Sequence, residues 1–165
     1  MERWNQYYKL KSLPRSGWLR KNINQPETVA AHSWGLALLC MEYGPQIDGL
    51  SMRRVLELAL VHDLPEVTVG DITPHDGVSL KEKHRLERTA AQTILSESML
   101  AIWQEYDEHQ TLESQFVHTM DKIDMAIQAT IYATEDDTEE FLNSAWQKIP
   151  SQWQWIWIDL QLPTM

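Results

Sequence analysis

The chain has 165 residues, 43 % of them hydrophobic and 23 % charged, the balance of a single soluble globular domain spanning 1–165. A net charge of −10 argues against general affinity for a nucleic-acid polymer. With no apolar run long enough to span a bilayer, no signal-like start and one cysteine (Cys40), the expectation is a cytoplasmic protein without a membrane partner.

The first helix is predicted over 2–12, stopped by Pro14 and Gly17, with a turn-rich connection over 15–25. Residues 1–21 carry six cations and one acid, which leaves −15 for the remainder. That basic segment is either a solvated face or the frame of an entrance for a small anion. Pro26 and Glu27 open a second helix that runs to Tyr43 and ends at Gly44-Pro45. Ser51 reads as the N-cap of a third, which continues to His62. Residues 64–79, with two prolines and two glycines, form a loop with room for one helical turn.

A long amphipathic helix is predicted over 80–106, kinked near Ser96-Glu-Ser98. Another spans 111–134 with Phe116, Met120, Ile123, Ile127 and Ile131 on its apolar face, and a short one covers 138–148. Trp153, Trp155 and Trp157 alternate with other residues but have no second strand to pair with. The Trp-rich segment 146–160 must either close the core or form a subunit contact. With no repeat and no convincing hairpin, the expected fold class is all-α, a compact orthogonal bundle.

The chemistry gathers on these helices. Imidazole and carboxylate both ligate divalent first-row metals, and His62-Asp63 places one of each at a helix end. His62 as a simple helix cap is the plainer alternative. His32, on an apolar helix, is by itself more often a hydrogen-bonded core residue. Asp121, in the middle of another apolar helix, needs a partner or a metal if buried. His75, His84, His109 and His118 stand in polar or loop contexts and read as surface.

In order along the chain come Leu13-Pro-Arg15-Ser-Gly-Trp18, Pro26-Glu-Thr-Val-Ala-Ala-His32, His62-Asp63-Leu-Pro-Glu66, Gly70-Asp71-Ile-Thr-Pro74, Lys81-Glu-Lys83-His84-Arg85 and Asp121-Lys-Ile-Asp124. Over residues 8–134 this pattern resembles the HD-domain metal phosphohydrolases, in particular their 5′-deoxynucleotidase branch. The resemblance implies the HD-type orthogonal bundle, one divalent transition metal (Co, Mn, Zn, Fe or Ni) on His32, His62, Asp63 and Asp121, and leaves an additional Mg open. It also implies proton transfer by Glu66, a water- or metal-orienting role for Asp71, and Trp18 against a nucleobase; an ordinary core position is the alternative for Trp18.

Arg15, Arg20 and Lys21 are the nearest candidates for phosphate contacts, followed by Lys81, Lys83 and Lys122. Asp124 would support the metal site by hydrogen bonding. The implied reaction is removal of the 5′-phosphate from a 2′-deoxyribonucleoside 5′-monophosphate, and the implied assembly a homodimer. Two rivals stand beside it: a deoxynucleoside triphosphate (dATP-type) triphosphohydrolase, as in related phage proteins that work in host cytoplasm, and a non-catalytic metal-binding regulatory domain.

Overall fold

The computed structural model describes residues 1–163. Glu2–Tyr7 forms α1 and tightens into a 3-10 turn over Tyr8–Ser12, short of Pro14. The connection expected over 15–25 holds a short helix, α2 (Ser16–Arg20). α3 (Val29–Tyr43) starts three residues later than Pro26 suggests. Its cap is Thr28, whose side chain accepts from the Ala31 N–H at 3.1 Å. The residues before it pair with the chain at 13–15 instead: the Arg15 N–H donates to the Glu27 carbonyl at 3.0 Å and the Val29 N–H to that of Leu13 at 2.9 Å. This extended pairing excludes Pro26 and Glu27 from the helix.

α4 (Met52–Val61) delivers the chain to His62. Ser51 precedes it as expected, but its side chain makes no cap; its N–H donates to Glu113 Oε1 at 2.9 Å. The loop over 64–79 contains α5 (Glu66–Val69) and a 3-10 turn at Pro74–Asp76. The helix expected over 80–106 is two helices, α6 (Leu80–Ile94) and α7 (Glu97–Glu108). Leu95 is extended and the Ser96 side chain accepts from the Met99 N–H, so a capping serine makes a break where a kink was expected. α8 (Leu112–Tyr132), α9 (Glu139–Trp146), a 3-10 turn at Ser151–Trp153 and α10 (Gln154–Asp159) complete the order.

α3 packs against α4 and α8, α8 against α4 and α9, and α7 against α4. Phe116, Met120 and Ile123 of α8 are fully buried, together with Leu36, Cys40 and Leu58 from the helices packed on them. Ile131, assigned to the same face, is 58 % exposed; Ala129 and Tyr132 take the inward positions of that last turn. In the tail Trp153, Ile156 and Trp157 are buried at helical spacing, whereas Trp155 and Ile158 face outward. Trp146 meets Trp157 edge-on at 5.4 Å, so most of the tail closes the core. A second apolar cluster joins Tyr7, Leu10, Val61, Ala91, Ile94 and Trp103 behind the 64–79 loop.

Among the described residues every regular element is helical, and no helix is long and apolar enough to cross a membrane. The fold is all-α, a compact helical bundle.

Candidate active site

Three elements converge on one point. The Thr28 cap starts α3 so that His32 falls in its second turn, facing inward at 1 % exposure. α4 ends at His62, and the departing chain turns Asp63 toward the same place. Asp121 and Asp124 project from the middle of α8.

Both imidazoles are fixed from behind. His32 Nδ1 lies 2.7 Å from Asp124 Oδ2, and His62 Nδ1 donates to the Ala59 carbonyl at 2.9 Å. These contacts turn each Nε2 forward. His32 Nε2 then lies 3.2 Å from Asp121 Oδ1 and 3.8 Å from Asp63 Oδ2, and His62 Nε2 3.1 Å from Asp63 Oδ2. Neither buried Nε2 makes a hydrogen bond. A buried nitrogen without a partner is costly unless a ligand supplies one.

Ligand atoms of His32, His62 and Asp63 lie within 4.8 Å of one another, a fit for one divalent cation. The set contains no thiolate, so it differs from a closed structural zinc site. Asp121 adjoins His32 but stands outside that trio, with its second oxygen 2.6 Å from Lys122 Nζ.

Glu66 begins α5 and is 4 % exposed, with Oε2 buried and without a partner. Burial, then the Asp63 and Asp71 carboxylates, push its pKa well above the usual range, against Arg15 and Lys83. Burial would also raise Asp63, but His62, His32 and Arg15 outweigh it and hold Asp63 well below that range. Burial and Arg15 would lower His32; the Asp121 and Asp124 carboxylates that face its two ring nitrogens prevail and push it up to about 9.

Gly70, at φ +81°, lets the chain reverse after α5 and bring Asp71 back, where Oδ2 accepts the Ser16 N–H at 2.6 Å. Arg15 spans the two aspartates, 3.5 Å from Asp63 Oδ2 and 4.0 Å from Asp71 Oδ1. Arg15, His62, Asp63, Glu66, Asp71 and Asp121 line a cavity of about 420 Å³, together with Lys83 and Lys122, whereas His32 and Asp124 do not reach it. Lys83 Nζ donates to the Ile72 carbonyl at 2.8 Å.

Other predicted contacts lie differently. Arg20 reaches the cavity wall but is bound to Glu140 at 2.9 Å; Lys21 is held by the same carboxylate at 2.8 Å and does not line the cavity. Lys81 lies on a separate shallow groove with Arg85 and Arg88, because its position on α6 points away from the site. Trp18 touches the cavity yet is only 2 % exposed, its indole N–H donating to Glu27 Oε1 at 2.9 Å and its ring 4.3 Å from Phe141. It is a core residue that backs the wall.

His118 is not on the surface. It is half-buried, stacked on Tyr106 at 3.8 Å, and both line the cavity. Its spacing of three from Asp121 on one helix was the signal for this. Phe141 and Lys148 also line the cavity, and neither stands in a motif.

The HD-domain pattern matches residues 7–156, past the motif-bearing stretch and into the tryptophan-rich tail. The human 5′-deoxynucleotidase HDDC2 is 37 % identical over 130 residues, which cover 74 % of this chain but only 63 % of that protein. The fission-yeast 5′-deoxynucleotidase hdd1 is 35 % identical over 146 residues, 82 % of this chain and 73 % of that one. A crystal structure of a Pyrococcus horikoshii protein superimposes with a TM-score of 0.78 at 29 % identity, covering 87 % of this chain and 85 % of its own. A conserved protein of Pyrococcus furiosus gives 0.77 at 33 % identity, covering 86 % and 88 %. On the extent of the match and the fold together, this chain belongs to the HD-domain family.

Proposed function

We propose that the chain is a metal-dependent hydrolase that removes the 5′-phosphate of 2′-deoxyribonucleoside 5′-monophosphates. One observation carries the reading: two buried, partnerless imidazole nitrogens and the Asp63 carboxylate meet in one cluster beside the partnerless oxygen of Glu66, and His62, Asp63 and Glu66 open on the cavity. The names of the similar proteins direct the substrate class. They also favour the monophosphate over the triphosphohydrolase and regulatory alternatives.

His32, His62 and Asp63 would hold the cation, with Asp121 as fourth ligand through the oxygen that faces His32 while its other oxygen stays on Lys122. This nitrogen and oxygen set suits Mn, Fe, Co, Ni or Zn. Such a cation, when bound, lowers the pKa of a water and polarises a phosphoryl oxygen. Glu66 receives the proton released as water adds to phosphorus. The P–O5′ bond breaks, and the departing O5′ takes that proton from Glu66 to leave as the deoxynucleoside. Asp71, anchored by the Ser16 N–H, keeps Arg15 over the cavity to meet the phosphate charge. Phe141, backed by Trp18, offers an aromatic wall to the base. The proposal includes a homodimer in the cytoplasm.

The test is Glu66→Gln in metal-loaded protein. Phosphate release from a deoxynucleoside monophosphate should fall by about 100-fold or more while bound metal is unchanged. Turnover that survives the substitution would remove Glu66 from the reaction.

A further inference from the structure

Five cationic side chains line the cavity: Arg15, Arg20, Lys83, Lys122 and Lys148. The first four each lie within 4.0 Å of a carboxylate, on Asp63, Glu140, Glu87 and Asp121 respectively. Lys148 does not. Among the described residues its ammonium meets only Ser144 Oγ, at 3.2 Å. In a chain with 24 acidic residues and a net charge of −10, a cavity cation without an acid is unexpected.

Lys148 follows the end of α9, and Lys122 stands on α8, which α9 packs against. Both residues line the one cavity, Lys122 from α8 and Lys148 from the turn after α9. Partial burial and then the Lys122 charge lower the Lys148 pKa, against the Asp121 carboxylate that Lys122 holds. Lys122 also touches Asp121 at 2.6 Å, so an anion lodged between the lysines would adjoin the proposed metal ligands. The Ser144 hydroxyl, already accepting from Lys148, keeps its own proton free to donate.

We propose that Lys148, with Lys122 and Ser144, forms the anion-binding side of the cavity and holds the non-bridging oxygens of the substrate's phosphate. This rests on the phosphomonoester reading above and adds a binding residue from outside the motif-bearing region. Lys148 is exposed, so its replacement should not disturb folding, which thermal melting checks.

The experiment compares metal-loaded wild type with Lys148→Gln and Lys148→Arg in two readouts. One is calorimetric titration with inorganic phosphate; the other is kcat and KM for a deoxynucleoside monophosphate. Lys148→Gln should weaken phosphate binding and raise KM by five- to twentyfold with kcat changed less than twofold, and Lys148→Arg should recover most of both. Unchanged phosphate affinity and KM in Lys148→Gln would overturn the proposal, as would a loss confined to kcat. Phosphate titration needs no turnover, so the subsite is tested even if the wild type hydrolyses none of the monophosphates, an outcome that would sink the functional reading instead.

Discussion

His118 has a measurable consequence of its own. Burial, with His109 nearby, lowers its pKa to about 4 despite the hydrogen bond from its Nε2 to the Tyr106 carbonyl at 3.0 Å. The unfolded chain binds a proton near pH 6.5, whereas the folded protein resists it until about pH 4. The stability contributed by this neutral imidazole is therefore complete above pH 6.5 and lost as pH falls from 6.5 to about 4. Urea unfolding of wild type and His118→Gln across that window should show a shallower decline in the variant. Parallel slopes would mean that His118 titrates alike in both states. Its place among the site residues was hidden because neighbouring polar residues on α8 make it read as surface; only the packing of α7 against that helix covers it.

At the scale of elements, α3 and α8 approach closely where Gly35 faces Asp124. A Cβ on Gly35 would stand 2.5 Å from Asp124 Oδ1, so the glycine makes room for the carboxylate that fixes His32. Gly35→Ala should favour the helix itself by up to about 1 kcal/mol, yet push Asp124 from His32. Metal affinity is then expected to fall about 10- to 100-fold with the fold retained. An unchanged affinity in metal titration would show that Asp124 does not govern the His32 nitrogen.

The elements also show what pattern can and cannot disclose. His32, His62 and Asp121 stand near a helix start, at a helix end and in mid-helix, positions that periodicity and breakers locate well. The separation of α6 from α7 turns on one serine cap, which periodicity passes over. Lys81 and Lys83 look equivalent in sequence, but two positions along a helix is about 200° of rotation, which leaves only Lys83 at the cavity. Lys148 is brought to the site solely by the docking of α9 on α8, a long-range contact without a local signature.

Across the whole molecule, an acidic chain places its cavity cations around a buried cluster of imidazoles and carboxylates. The four proposed ligands come from α3, the end of α4 and α8, so the site depends on the packing of these three helices as a unit. Helical bundles with similar overall shape serve many chemistries, so the arrangement of the site carries the functional argument. The decisive measurement is to load the purified protein with Mn, Co or Zn in turn, offer 2′-deoxynucleoside mono- and triphosphates, and resolve every product. The account predicts orthophosphate and deoxynucleoside from the monophosphates, with triphosphates intact. Release of intact triphosphate, or no product with any metal, would contradict it.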